Sequence, residues 1–188
     1  MKQSKILLDT CSYLRLAKNI YPLLKQIFGD NNFCLYITKE FQKEYEKSPR
    51  LQNRFEWVNT KEYVENRNKP INVSTKERKE IEKTFEFLLN EPSENISKTD
   101  LKCLSYAYVL KIPIVTDDGN MLKIAKELNI KTYKTLELLK LMLDNNHTSI
   151  NNVRATVSYW VYINDLPKDF KKDYKKFFVK NLPKKSYK

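Results

Sequence analysis

Short runs of consecutive apolar residues alternate along the chain with longer stretches in which apolar residues recur every three or four positions. The first kind reads as buried strand and the second as amphipathic helix. "KILLD" predicts a strand ending at Asp9, and "FCLYI" (33–37) predicts a second. Between them Leu14, Ala17, Leu24 and Ile27 stand at helical spacing. Pro22 is expected to split that run into two helices, with Gly29 closing the second. Thr38 is expected to cap a helix "KEFQKEYEK" that Ser48-Pro49 ends. The pattern weakens from Arg50 to Asn72, where a short helix and a loop are expected.

Three further segments repeat the alternation. Ser74 and Glu77 open "STKERKEIEKTFEFLLN" as a capping box, with Ile81, Phe85, Leu88 and Leu89 on the apolar face. "SKTDLKCLSYAYVLK" is a second helix, with Leu101, Leu104 and Tyr108 in register. The strand "IPIVT", the helix "GNMLKIAKELN", the strand "IKTY" and the helix "TLELLKLML" follow. Strands that alternate with helices predict a parallel sheet covered on both faces, an α/β fold in three layers, α/β/α. The expected division is an α/β domain over residues 1–144 and a basic, aromatic, helical C-terminal extension over 145–188.

Composition narrows the partners. The 188 residues carry a formal charge of +12, which favours an anionic partner such as nucleic acid, an acidic protein or a membrane surface. The chain is also rich in Lys, Asn and Ile, and such composition can be basic without any binding role. Three widely spaced cysteines, Cys11, Cys34 and Cys103, lie in apolar stretches and read as reduced core thiols of an intracellular protein. "MKQSKILLDT" is neither a signal peptide nor a membrane span, so a soluble, cytoplasmic protein with no membrane partner is expected. The single histidine, His147, sits in a polar run, which argues against histidine acid–base chemistry.

The candidate chemistry comes from the acids. In a parallel sheet, ligands bind beyond the carboxyl ends of the strands. Asp9 ends the first strand, and Asp117 and Asp118 end the strand "IPIVT". Glu40 and Glu44 open the helix after the second strand, and Asp100 opens the helix leading into "IPIVT". Four segments thus bring acids to one rim, with no Lys or Arg adjacent in sequence to Asp9 or to the Asp117–Asp118 pair. Gathered carboxylates call for a hard divalent cation, and Mg²⁺ or Mn²⁺ among them can activate water against a phosphodiester. Each acid also has a plain structural reading: Asp9 and Asp100 as helix caps, Glu44 as a solvated helix residue, Asp117-Asp118-Gly119 as turn chemistry.

With these motifs in order, the chain resembles the PIN-domain ribonucleases. The resemblance rests on "ILLDT" with Asp9, "ITKEFQKEY" with Glu44, "SKTDLKCLSYAYVLK" with Asp100 and "IPIVTDDGNMLKIAKELNIKTYK" with Asp118, and covers residues 5–140. In that family the second acid stands six residues after a small capping residue, which Thr38 and Glu44 match, favouring Glu44 over Glu40. The last motif is Thr, any residue, Asp, with Asp or Asn two positions on. Thr116, Asp118 and Asn120 match it and leave Asp117 as a second choice.

The resemblance implies a metal-dependent endoribonuclease in which Asp9, Glu44, Asp100 and Asp118 hold one or two Mg²⁺ or Mn²⁺ ions. Asp117, Asn120 and Glu40 stand in reserve, and Thr116 is a possible substrate contact. It also suggests the toxin of a toxin–antitoxin pair, with an antitoxin partner and a homodimeric state. Two departures stand out: the long stretch between Ser48 and Ser74, and everything after Leu143. The rival readings are a non-catalytic RNA-binding scaffold and a structure-specific DNA nuclease. In the last 21 residues nine lysines face two aspartates, and Phe170, Tyr174, Phe177 and Phe178 interleave with Lys171, Lys172, Lys175 and Lys176. That pattern fits single-stranded RNA, by stacking and phosphate contact, or an amphipathic helix packed on the domain or a partner.

Overall fold

The computed structural model describes residues 3–91 and 96–178. The last ten residues of the basic tail lie outside the described residues. Five strands form one sheet in the order β2-β3-β1-β4-β5: β1 (Ser4–Leu8), β2 (Ile27–Phe28), β3 (Phe33–Tyr36), β4 (Ile114–Val115) and β5 (Thr132–Tyr133). All neighbouring pairs are parallel except β2 with β3. Successive residues of β1 point to opposite faces. Ile6 and Leu8 therefore join one apolar cluster while Leu7 joins another.

The Leu7 side is covered by α5 (Thr75–Asn90), α6 (Lys98–Leu110) and α7 (Gly119–Glu127), through Ile81, Leu88, Leu104 and Met121. The Ile6 and Leu8 side is covered by α1 (Thr10–Leu16), α8 (Thr135–Asp144), α9 (Ile150–Tyr162) and α10 (Phe170–Phe178). The expected layered α/β arrangement, helices on both faces of a mostly parallel sheet, is present. No helix among the described residues is long and apolar enough to cross a membrane.

Several expectations are corrected. No second helix runs from Pro22 to Gly29. Lys25 adopts φ 64°, and Ile27 and Phe28 instead pair antiparallel with Cys34 and Phe33. Gly29 sits in this hairpin at φ 66°, where an added Cβ would lie 2.2 Å from the Asn145 side chain. Thr38 does not cap α2 (Glu40–Lys47): the cap position is Lys39, with no side-chain bond, and Thr38 is buried. Ser48 ends α2 but also begins α3 (Pro49–Arg54), accepting the Leu51 N–H at 3.3 Å ahead of a helix-compatible proline.

The weakly patterned stretch that follows holds a 3₁₀ turn (Glu56–Asn59) and α4 (Lys61–Arg67). The buried guanidinium of Arg67 fastens it, donating to Val58 O, to Gln42 Oε1 at 3.0 Å and to Asn59 Oδ1 at 3.4 Å. Tyr108 is 48% exposed rather than on the apolar face of α6, which Leu101, Leu104 and Ala107 supply. Cys34 and Cys103 are buried as expected, but Cys11 is exposed.

The capping box is as expected. Ser74 Oγ accepts the Glu77 N–H at 3.2 Å while Glu77 Oε2 accepts the Ser74 N–H at 2.7 Å. Ser74→Ala should cost about 1 kcal/mol, read as a lower urea midpoint with an unchanged slope.

In α10 the aromatic stripe is not offered to solvent. Phe170, Tyr174 and Phe178 are buried against the cluster that contains Trp160, and Lys171, Lys172, Lys175 and Lys176 lie on the opposite, exposed face. Stacking of RNA bases on these three rings is therefore ruled out by burial. A hydrogen bond from Trp160 Nε1 to Arg15 O, 2.7 Å, fastens α9 to α1.

Candidate functional site

Chain order sets where the acids fall. From β1 the chain moves to β3 on one side of it, then returns to β4 and β5 on the other side. The order reverses between β1 and β4, and a crevice opens at the carboxyl ends of two such strands. Asp9 leaves β1 and Asp117-Asp118 leave β4, so both flank this reversal.

Asp9 caps α1, with Oδ1 accepting the Ser12 N–H at 2.6 Å. It is only 5% exposed. Burial pushes its carboxyl up to about 6, against the Thr116 and Ser12 side chains, which favour the ionised form; nearby Asp117 adds to the rise. Glu44, one turn into α2, accepts a hydrogen bond from the hydroxyl of Thr10. Its carboxyl is raised by burial first and by Asp100 next, with the Thr10 bond opposing. Thr10, directly after Asp9, thus links the first acid's strand to the second acid's helix.

Asp100 lies in the first turn of α6, its N–H bonded to Ser97 Oγ at 3.1 Å and its carboxylate accepting the Ser97 hydroxyl at 2.7 Å. Burial raises its pKa, the Ser97 bonds oppose, and neighbouring Asp118 raises it further. Asp118 caps α7, its Oδ1 accepting the N–H groups of Asn120 at 2.9 Å and Met121 at 2.8 Å, while its side chain stays exposed. The thiol of Cys103 is pushed up by burial and then by the charges of Asp9, Asp100, Glu40 and Glu44. Asp9, Glu44 and Asp100 thus act on the same buried thiol, and Asp118 acts on Asp100.

Asp117 is different. It is almost buried and fully engaged: Oδ2 accepts Arg15 Nη1 at 2.9 Å and the Thr135 hydroxyl, and Oδ1 accepts the Thr135 N–H at 3.1 Å. Arg15 extends the network to Asp165 at 3.2 Å, and Asp165 to Arg54 at 3.5 Å. The absence of a cation beside Asp117 in sequence does not hold in space. Arg15, one helical face away in α1, supplies it, and this removes Asp117 from the set of free acids. Thr116 is fully buried and accepts the Asp118 N–H at 3.1 Å, so it supports the loop from within rather than offering a surface to substrate.

Glu40 has a buried Oε2 with no hydrogen-bond partner. His147 lies elsewhere, stacked on Phe28 at 4.4 Å, with its pKa lowered by burial. Sequence reasoning missed Thr10, Arg15 and Thr135. The only signal for them was proximity to Asp9 and to a strand end, because each acts through a partner more than 15 positions away.

Hard oxygen donors are the kind that Mg²⁺ or Mn²⁺ takes, and burial, before any neighbouring charge, raises the pKa of Asp9, Glu44 and Asp100. Among the described residues no three His, Cys, Asp or Glu side chains are already gathered around one point at ligand distance. No model of a known family matches the chain, and no curated protein matches it.

Proposed function

We propose that this chain is a metal-dependent endoribonuclease of PIN type. What supports the proposal is that Asp9, Glu44 and Asp100 all act electrostatically on the buried Cys103 thiol, and Asp118 acts on Asp100, so acids from four separate segments influence one region of a protein with charge +12. Asp9, Glu44, Asp100 and Asp118 would hold the ion, with Glu40 behind them. A bound Mg²⁺ or Mn²⁺ supplies a nucleophilic water at neutral pH and neutralises charge on the phosphoryl oxygens. The chain's own part is to hold the donors in place: Thr10 fixes Glu44, Ser97 fixes Asp100, and the α7 N-terminus fixes Asp118. In hydrolysis the water oxygen bonds to phosphorus as the bond to the 3′ oxygen breaks. One water proton leaves to a carboxylate and the 3′ oxygen takes one from solvent, giving 5′-phosphate and 3′-hydroxyl ends.

The test is cleavage of labelled single-stranded RNA in Mn²⁺ and in EDTA, with flap DNA as the competing substrate. Wild type should cut RNA only with metal. Glu44→Gln and Asp118→Asn should each slow cutting by at least about a hundredfold, the upper end of what losing even a residue behind a metal ligand costs. A specific observation favours one rival, the RNA-binding scaffold: the acids are not drawn together into a ready ligand set. Absence of metal-dependent cutting together with no Mn²⁺ heat in calorimetry would establish that rival.

A further inference from the structure

Beside the acidic rim, α2, α5 and α6 enclose an open cleft of about 350 Å³. Glu40 and Glu44 belong to both the rim and the cleft, so the two are continuous. Lys39 lines the cleft from the cap position of α2, Lys43 and Lys47 from α2 itself, and Lys98 from the first turn of α6. On α2 these lysines recur every four residues, about 6 Å apart along the axis, and form one ridge. All four are exposed, and none forms an ion pair among the described residues, where the paired lysines are others.

Deeper in the cleft the chemistry is already satisfied. Lys102 is buried, paired with Glu82, and its ammonium lies 4.6 Å from the centre of the Phe85 ring. Phe85 is therefore covered by a cation and is not a platform for a base. The cleft presents a row of exposed ammonium groups; beyond the rim its one carboxylate, Glu82, is paired with Lys102, and its one aromatic ring, Phe85, lies under that ammonium.

We propose that this cleft is the path of a single-stranded RNA away from the carboxylate rim, its phosphates held by Lys43, Lys47 and Lys98. The proposal rests on the ribonuclease reading of the rim. A polyphosphate chain fits the charge order: one phosphate among metal-holding acids, the following ones among lysines. An acidic polypeptide would instead meet Glu40 and Glu44 where the cleft joins the rim. Because the contacts are to phosphate, this path carries affinity without base preference.

The experiment is fluorescence anisotropy of short labelled single-stranded RNAs in EDTA, where nothing is cut, across a range of salt. Lys→Ala at 43, 47 and 98 together should weaken binding roughly tenfold to a hundredfold at moderate salt. It should also flatten the slope of log K against log salt by about 2, since each lost phosphate contact removes about 0.7 for a single strand. A-rich and U-rich RNAs should lose equally. Substituting Lys61, Lys76 and Lys168, exposed elsewhere, is the charge-matched control, and equal melting temperatures exclude a folding defect.

Unchanged affinity and slope in the cleft variant would overturn the proposal. So would loss on substituting Lys171, Lys172, Lys175 and Lys176 instead, or a wild type that binds no RNA, which would leave the cleft to an acidic polypeptide. Failure of the ribonuclease reading is separate: it would show as normal, cleft-dependent binding without metal-dependent cutting.

Discussion

An Asp9→Asn chain should melt at a higher temperature than wild type at pH 7.5 and cut no RNA. Burial raises the Asp9 carboxyl from 3.8 to about 6, so at neutral pH the folded protein holds a charge that the unfolded chain carries more easily. At about 1.36 kcal/mol for each tenfold change in proton affinity, the ionised group costs up to roughly 3 kcal/mol. For a chain of this size that is about 6–12 °C in melting temperature. Asparagine is as good a helix cap, so the bond to Ser12 N–H survives the change.

The sign fixes the pH dependence. The native state binds the extra proton between the two pKa values, so wild-type stability falls as pH rises from 3.8 through about 6. The advantage of the variant is therefore full above pH 6, shrinks as the pH falls toward 3.8, and is absent below it. Mn²⁺ should raise the wild-type melting temperature and leave the variant's unchanged. A variant less stable than wild type at pH 7.5 would show that the Asp9 charge is compensated within the fold. A group that destabilises its own fold when ionised is the expected cost of keeping an acid ready for a cation or a substrate.

How much of this was legible in the sequence depends on the range of the interaction. Ser74 and Glu77, three residues apart, declare a capping box, and the structure has it. The alternation of apolar runs with helical periods gives the layered α/β arrangement. What could not be read is what lies across the fold. "PLLKQIFG" has helical spacing, yet pairing with β3 and the left-handed Lys25 make it a turn and a strand. Arg67, in a stretch with no clear period, is buried on neutral acceptors from three segments. Lysines interleaved with aromatics read equally as an RNA face or as a packed helix. The burial of Tyr174 and Phe178 shows that the rings pack on the domain and leaves the lysines exposed, and that burial depends on Trp160, which local pattern does not contain.

The two adjacent aspartates after β4 should separate cleanly under substitution. Asp117→Ala leaves the Thr135 N–H, at the start of α8, without its acceptor, leaves the Thr135 hydroxyl with Ser12 Oγ alone, and leaves Arg15 with Asp165 alone. Both members of the Arg15–Asp117 pair are nearly buried, at 11% and 6% side-chain exposure, so water cannot take over. Breaking a buried pair costs about 3–5 kcal/mol, and the retained Asp165 contact keeps the expected loss near the lower figure, about 3 kcal/mol. Asp118→Ala removes only an exposed helix cap and should cost about 1 kcal/mol.

Activity should run the other way. Well below its lowered melting temperature, the Asp117 variant should still cut RNA in Mn²⁺, and the Asp118 variant should not. Urea midpoints and cleavage rates on the same two proteins at 25 °C read both quantities. Equal stability losses would mean that the Arg15–Asp117–Thr135 network is not what joins α1, β4 and α8. Equal activity losses would mean that Asp117 reaches the reaction through Asp9, whose carboxyl it already raises.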